Sequence, residues 1–87
     1  MFTVFRRPVR RYQKGQVVHI PPHKSGNELS HYLIIDRSQW VKQNGSISAE
    51  WWYMGPDFRI VNGAPIFSSQ QGQYRESAIQ HVVYGMR

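Results

Sequence analysis

The sequence predicts an all-β domain built from five or six short antiparallel strands. Turn residues, chiefly Gly, Pro and Asn, interrupt the 87-residue chain every several positions and leave no room for a long helix. Between these breaks, apolar side chains alternate with period two, the spacing of a strand with one buried face. Three Trp, five Tyr and four Phe supply the large side chains that a core of this size requires.

The first two predicted strands cover residues 15–20 and 31–36, and a long polar loop, residues 21–30, separates them. In a strand, neighbouring side chains point to opposite faces, so one alternating set is expected to fill the core and the other to point outward. If Val18, Ile20, Leu33 and Ile35 fill the interior together with Trp51 and Tyr53, the residues that point outward are His19, Tyr32, Ile34, Trp52 and Met54. Taking the opposite face as the core would exchange the two sets.

A hairpin is predicted around Asn44-Gly45, because both residues tolerate the positive φ of a type I′ turn. Residues 31–42 are expected to pair with residues 46–54. Alternation places Trp51 and Trp52 on opposite faces of the second strand, so a single core cannot hold both indoles.

A second hairpin is predicted around Asn62-Gly63, with Pro65 near an edge or a strand start because it has no N–H to donate. Asp57, which follows Gly55-Pro56, is interpreted as a turn residue whose side chain bonds a nearby backbone amide. Glu76 is expected to bond a backbone amide near the final turn. The remaining predicted segments are a polar irregular stretch at 68–73, one helical or 3₁₀ turn at 76–79 and a last strand at 80–84.

This layout resembles the SH3-like barrel superfamily over residues 14–84, and the resemblance implies a small barrel with one 3₁₀ turn before the last strand. The pair Trp51-Trp52 is similar to the doublet that opens a central strand in signalling SH3 domains. There, the first Trp, here Trp51, lines a groove for proline-rich peptides. The acidic-aromatic stretch of the long loop and the Pro-x-x-Tyr of those domains are missing here, so only the fold is carried over.

Basic charge is concentrated at the N-terminus. Residues 1–14 carry five of the eleven Lys and Arg and no acid, whereas residues 15–87 carry six basic and five acidic groups. We therefore divide the chain into a basic arm, residues 1–14, and one small barrel domain, residues 15–87. The absence of Cys excludes disulfides and thiolate metal sites and favours a cytoplasmic location. No apolar run approaches the ~18 residues of a membrane helix, so no membrane association is expected.

Binding of RNA or DNA is the first functional hypothesis. An Arg-rich arm neutralises phosphates, and aromatic side chains on a β-surface stack on unpaired bases. The residues predicted to contact nucleic acid are Arg6, Arg7, Arg10, Arg11 and Lys14, with Tyr12, Tyr32 and Trp52 stacking.

Protein docking or self-association through the same aromatic face is the alternative. Outside the arm, basic and acidic residues are intermixed, which differs from a surface built for phosphates. An exposed cluster of Tyr32, Trp52 and Met54 would combine residue types that protein interfaces favour.

Catalysis is not expected. No Gly-x-Ser-x-Gly elbow surrounds any serine, only five acidic residues are available for acid–base pairs, and no phosphate-binding glycine loop precedes a helix. No cofactor or small-molecule substrate is indicated. The four histidines, His19, His23, His31 and His81, are interpreted as surface or loop residues and not as metal ligands.

Overall fold

A computed structural model describes residues 8–22 and 29–85, which form six β-strands and one 3₁₀ turn. All strand pairs are antiparallel, so the predicted all-β architecture with one 3₁₀ turn is confirmed. The strands are β1 (Val17–Ile20), β2 (His31–Ile34), β3 (Arg37–Val41), β4 (Glu50–Val61), β5 (Ala64–Arg75) and β6 (His81–Tyr84), and the turn is Glu76–Ala78.

The six strands form one open sheet. Its order is β3-β4-β2-β1-β6, and β5 pairs with β4 alongside this path. Over the described ranges the sheet is not closed into the predicted barrel. The reason is that β5 follows the twelve-residue β4 over most of its length and leaves its own outer edge unpaired.

Strands β2 and β3 are two parts of one bent strand, and both pair with β4. Tyr32 lies opposite Phe58, and Arg37 lies opposite Met54. At the bend, the Asp36 amide donates to the Met54 carbonyl oxygen at 2.8 Å.

Asn44 and Ile47 exchange both backbone hydrogen bonds, so a hairpin forms around Asn44-Gly45 as predicted. Its central residues are Gly45, with a φ of 60°, and Ser46, and Asn44 has no positive φ, so the predicted type I′ turn is wrong. The pairing of residues 31–42 also extends beyond the predicted 46–54, to Asp57 and Phe58.

The second hairpin is longer than predicted. Asn62 and Gly63 take the left-handed φ values of 53° and 80°, and the pairing continues to Arg75. The prediction of an irregular stretch at 68–73 is wrong, because strand β4 supplies partners at both ends of that stretch. Between the pairs Phe58–Phe67 and Pro56–Gln71 the register shifts, so residues 68–70 lie opposite a single β4 residue.

The core lies on one face of the sheet and consists of Tyr12, Val18, Ile20, Leu33, Ile35, Tyr53 and Ile79, with Trp51, Tyr74 and Val82 packed against it. Of the two alternating sets, the one that faces inward is the set in which Val18, Ile20, Leu33, Ile35 and Tyr53 are buried, and Trp51 is half-buried against the same core. Met54, predicted to point outward, is only 4% exposed, so its assignment to a docking surface is wrong.

Tyr12 is also part of the core and not a stacking group. Its ring is 5% exposed and packs edge-on against Tyr53, with centroids 5.5 Å apart. The Tyr53 hydroxyl accepts hydrogen bonds from the amides of Arg11 and Tyr12 and donates to Glu76 Oε2 at 2.6 Å. The Arg11 amide also donates to Glu76 Oε2, so the prediction that Glu76 bonds a backbone amide is confirmed.

The approach of β4 to the bend between β2 and β3 leads to a stability prediction. A Cβ on Gly55 would lie 1.9 Å from the Ile34 carbonyl oxygen. We expect Gly55→Ala to lower the free energy of unfolding by about 3 kcal/mol or more, because backbone must move to admit one methyl group. Urea unfolding measures the loss.

Gly45→Ala is the matched control. A Cβ at Gly45 would meet nothing within 4 Å, although its φ of 60° is unfavourable for alanine. It should cost only about 1–2 kcal/mol, the penalty for the left-handed conformation. Equal losses in the two variants would contradict the close-approach argument.

Candidate functional site

A row of five aromatic rings crosses the outer face of the sheet, with one ring from each of five neighbouring strands. The row runs from His81 through His19, Tyr32 and Phe58 to Phe67, and successive residues are direct partners in the strand register. Successive ring centroids are 5.2, 5.3, 5.4 and 5.0 Å apart. We call this row the aromatic ladder.

The ladder follows from strand alternation, because His19 and Tyr32 alternate along their strands with the buried residues Val18 and Leu33. Rings at directly opposed positions come within contact distance, and such pairs contribute about 0.5–1.5 kcal/mol beyond their buried area. The interplanar angles lie between 23° and 47°, so the ring faces turn partly toward one another. Each inner ring therefore contacts a ladder ring on both sides. The end rings, His81 and Phe67, each contact one ladder ring.

An apolar groove of about 360 Å³ adjoins the ladder. None of its described lining residues is charged; they are Val17, Tyr32, Phe58, Ile60, Val83 and Tyr84. Tyr84 is 73% exposed and Phe67 is 54% exposed, although both are large aromatic residues. We call the ladder and this groove together the apolar face.

The tryptophan doublet lies apart from this face. Arg10 lies over the Trp51 ring, with its guanidinium carbon 5.8 Å from the centroid, and Arg75 lies over Trp52 at 5.4 Å. Trp51 Nε1 donates to the Pro8 carbonyl oxygen at 2.7 Å. Trp52 is half-buried, and Arg75 occupies a ring face that base stacking would require. Of the aromatic residues predicted to form a site, Tyr32 is the one that lies in the ladder.

The described part of the basic arm packs against the domain at its backbone but leaves its charges exposed. Arg10, Arg11 and Lys14 are exposed, and Arg10 Nη1 donates to Ser38 Oγ on β3 at 2.9 Å. Arg6 and Arg7 lie outside the described residues. The predicted cationic site is therefore near β3 and the start of β4 and is not brought together with the ladder.

A polar cluster of His31, Asp57 and Tyr74 lies at the register shift. His31 Nδ1 is 3.0 Å from Asp57 Oδ1, and the Tyr74 hydroxyl donates to Asp57 Oδ2 at 2.5 Å. Asp57 is 7% exposed and lies within β4, so its interpretation as a turn residue is wrong. A Cβ on Gly72 would lie 2.8 Å from Asp57 Oδ2, so glycine is needed where β5 passes this carboxylate.

Burial and a hydrogen bond to a carboxylate raise the pKa of two tyrosines. For Tyr53 the larger cause is burial, and the second is its bond to Glu76. For Tyr74 burial again comes first, followed by the bond to Asp57. Burial also raises the pKa of Tyr12, partly offset by the nearby positive charge of Arg11. In each case the neutral hydroxyl is the form that the fold stabilises.

Sequence reasoning missed Phe58 and Phe67 as site residues, although the signal was available. A two-residue turn at Asn62-Gly63 places Val61 opposite Ala64, and counting back along both strands brings Phe58 opposite Phe67. With Tyr32 predicted to point outward, these two phenylalanines would have extended the outer aromatic surface.

No protein-family model, curated protein or solved structure matches the chain. The resemblance to SH3-like barrels therefore stays a prediction, and a function has to be argued from the described residues. Those residues contain no group of three or more potential metal ligands. In the same part of the chain, no helix is long and apolar enough to cross a membrane.

The two tyrosines lead to a pH prediction. The pKa of each is higher in the folded protein than the value of 10.0 expected when unfolded. Above that pH the unfolded chain releases protons that the folded chain retains, so stability should be full below about pH 10 and fall above it. The urea midpoint measured from about pH 9 to about pH 11 tests this.

The double variant Tyr53→Phe/Tyr74→Phe should be less stable than wild type at pH 9, because Glu76 and Asp57 each lose a donor. Its stability should nevertheless depend less steeply on pH above 10. A double variant as pH-sensitive as wild type would show that other groups cause the alkaline loss.

Proposed function

We propose that this chain is a non-enzymatic binding domain that docks a protein partner on its apolar face. The observation that carries the proposal is the aromatic ladder, whose rings span five strands and continue into an exposed apolar groove. Contiguous exposed apolar surface on a soluble domain usually marks an interaction site. Phe67 and Tyr84, the most exposed aromatics described, are the expected anchors.

The distribution of charge supports a protein ligand over a nucleic acid at this face. The groove residues are uncharged, whereas Arg10 contacts Ser38 and Trp51. Protein interfaces concentrate aromatic residues and exclude charge at their centre, whereas nucleic-acid binding needs cations along the contact. Tyr32 and Phe58 stack on each other, and the other ladder rings turn partly toward their neighbours, which leaves fewer free ring faces for bases.

The setting of the rings also suits docking. Each ladder side chain is held on a paired strand and against a neighbouring ring, so few rotamers remain to be lost on binding. Side chains already ordered in the free protein cost less entropy when a partner covers them. Aromatic rings offer a large contact area with few rotatable bonds.

The hydrogen bonds of the described histidines give no support to nucleophilic catalysis. In the described part of the chain, the histidine side chains bond Gln80 and Asp57, and no serine or threonine hydroxyl is hydrogen-bonded to a histidine. Nucleophilic catalysis would need such a pair. The cytoplasmic location indicated by the sequence stays a prediction.

Nucleic-acid binding by the arm is a second candidate, and the exposed charges favour it. Arg11 and Lys14 are exposed, and the arm carries a charge of +5 on a body of +1. This site would lie near β3 and would use phosphate contacts more than stacking, because Tyr12 is buried.

Photo-crosslinking from four positions tests the docking proposal. Benzoylphenylalanine is placed at Phe67 or Tyr84 on the apolar face, or at the control positions Ile47 or Val9, which are also exposed and apolar. In host cells, the first two positions should capture a protein several-fold more efficiently than the controls, because the crosslinker then lies inside the contact.

The nature of the adduct decides between the two candidate functions. Adducts removed by protease and resistant to nuclease support protein docking, and an adduct with a second copy of the chain counts as self-association. Equal capture at all four positions, or adducts that nuclease removes, would refute docking at the apolar face.

The salt dependence of oligonucleotide binding tests the second candidate. If all five arm cations contact a single strand, the slope of log K against log salt should be about −3 to −4. Arg11→Gln/Lys14→Gln should reduce its magnitude by about 1.4, because two phosphate contacts are lost. Substitution is preferable to deleting the arm, since deletion would also remove buried Tyr12.

Lys42→Gln/Arg59→Gln removes the same charge from exposed positions in the loop after β3 and in the second half of β4, and is the matched control. It should change the slope by less than the arm variant does. Absence of binding, or equal slopes in the two variants, would rule out phosphate binding by the arm.

A further inference from the structure

A small pocket of about 200 Å³ opens where the aromatic ladder ends at β5. It lies beside the register shift, where residues 68–70 face Asp57. The residues that matter for its chemistry are His31, Asp57, Arg59 and Ser68, with Phe58 and Phe67 as apolar walls. These two phenylalanines also belong to the ladder, so the pocket shares two residues with the apolar face.

The Asp57 carboxylate is already engaged by the protein. One oxygen contacts His31 Nδ1, and the other accepts from the Tyr74 hydroxyl. An ionised carboxylate only accepts hydrogen bonds, so Nδ1 of His31 carries a proton. The groups left to bind a ligand are His31 Nε2, the Ser68 hydroxyl and the Arg59 guanidinium, and two of these three can carry positive charge.

We propose that this pocket binds a carboxylate group presented by the docking partner. The claim that a docking partner presents the carboxylate rests on the proposed function. The claim that the pocket prefers a carboxylate rests on the residues that line it. Arg59 offers a planar fork of donors that matches carboxylate geometry. Phe58 and Phe67 would pack against the carbon atoms next to the charge. A volume of about 200 Å³ suits an acidic side chain or chain terminus and not a large ligand.

The contribution of His31 depends on which ring nitrogens carry a proton. With Nδ1 bonded to Asp57, Nε2 is the ring atom left for the ligand, and it donates to a carboxylate only when the ring is an imidazolium. Asp57 from β4 and Tyr74 from β5 bond to one another beside the ring, Arg59 from β4 lines the same pocket, and the β1 partner Ile20 is uncharged. An imidazolium would donate to Asp57 through Nδ1 and to the bound carboxylate through Nε2.

The test is an NMR titration of the full chain with 3-phenylpropionate and with its neutral isostere 3-phenylpropan-1-ol. The carboxylate should shift resonances of His31, Arg59 and Ser68 and bind about tenfold more tightly than the alcohol, a difference typical of one charge-assisted contact.

Variants separate the pocket from nonspecific attraction to a basic protein. Arg59→Gln should weaken 3-phenylpropionate about tenfold, because the guanidinium fork is lost, and His31→Gln should weaken it as well, because the ring donor is lost. Arg37→Gln, an exposed β3 residue outside the pocket, is the matched control and should leave affinity unchanged. Spectra of each variant without ligand check that the fold is retained.

Inorganic phosphate is titrated in parallel to distinguish the two kinds of anion. Tighter binding of phosphate than of the carboxylate, equal binding of the alcohol, or equal weakening by Arg59→Gln and Arg37→Gln would overturn the proposal. Crosslinking from Tyr84 does not depend on the pocket. Crosslinking can therefore detect a partner even if 3-phenylpropionate does not bind. If crosslinking detects no partner, the titration still tests whether the pocket binds a carboxylate.

Discussion

The pairing of β4 with three other strands is the constraint on which the rest of this structure depends. Its first half pairs with β3, its second half pairs with β2, and its other edge pairs with β5. This register brings Tyr53 into the core and Phe58 into the outer ladder. Because side chains alternate, a slip of one residue would exchange the two faces, so the core and the candidate docking surface are specified together.

Two tyrosine–carboxylate pairs fix this register from inside. Tyr53 and Tyr74 are direct partners on β4 and β5, and their hydroxyls donate to Glu76 and Asp57 respectively. Each bond satisfies polar atoms that would otherwise be costly to bury. The Tyr53 hydroxyl also accepts amides from the basic arm, so it joins the arm, the central strand and the 3₁₀ turn.

The sequence predicted those structural features that depend on residues close together in the chain. The Asn-Gly turns, the alternation of Leu33 and Tyr32 and the turn at 76–79 depend on neighbours in the chain, and each was predicted. Met54 and Asp57 were misassigned because their burial depends on contacts across strands. At Asp57 the signal Gly55-Pro56 predicted a turn, whereas the chain continues as strand and the register shifts there. The polar stretch at 68–73 became strand for the same reason, since pairing with β4 outweighed its low β-propensity.

The outer edge of β5, which no described strand pairs with, offers a different way to associate, by adding a strand from another chain. Its own features oppose this route. Pro65 removes one backbone donor, and the register shift at 68–70 interrupts the regular spacing that a new strand would have to match. Pro65 and the register shift hinder strand pairing at the edge of β5, and neither covers the face of the sheet. Phe67 is exposed on that face immediately before the shift, so the same irregularity that blocks edge pairing leaves the end of the ladder accessible. These features of the edge therefore agree with the proposal that a partner docks on the face of the sheet.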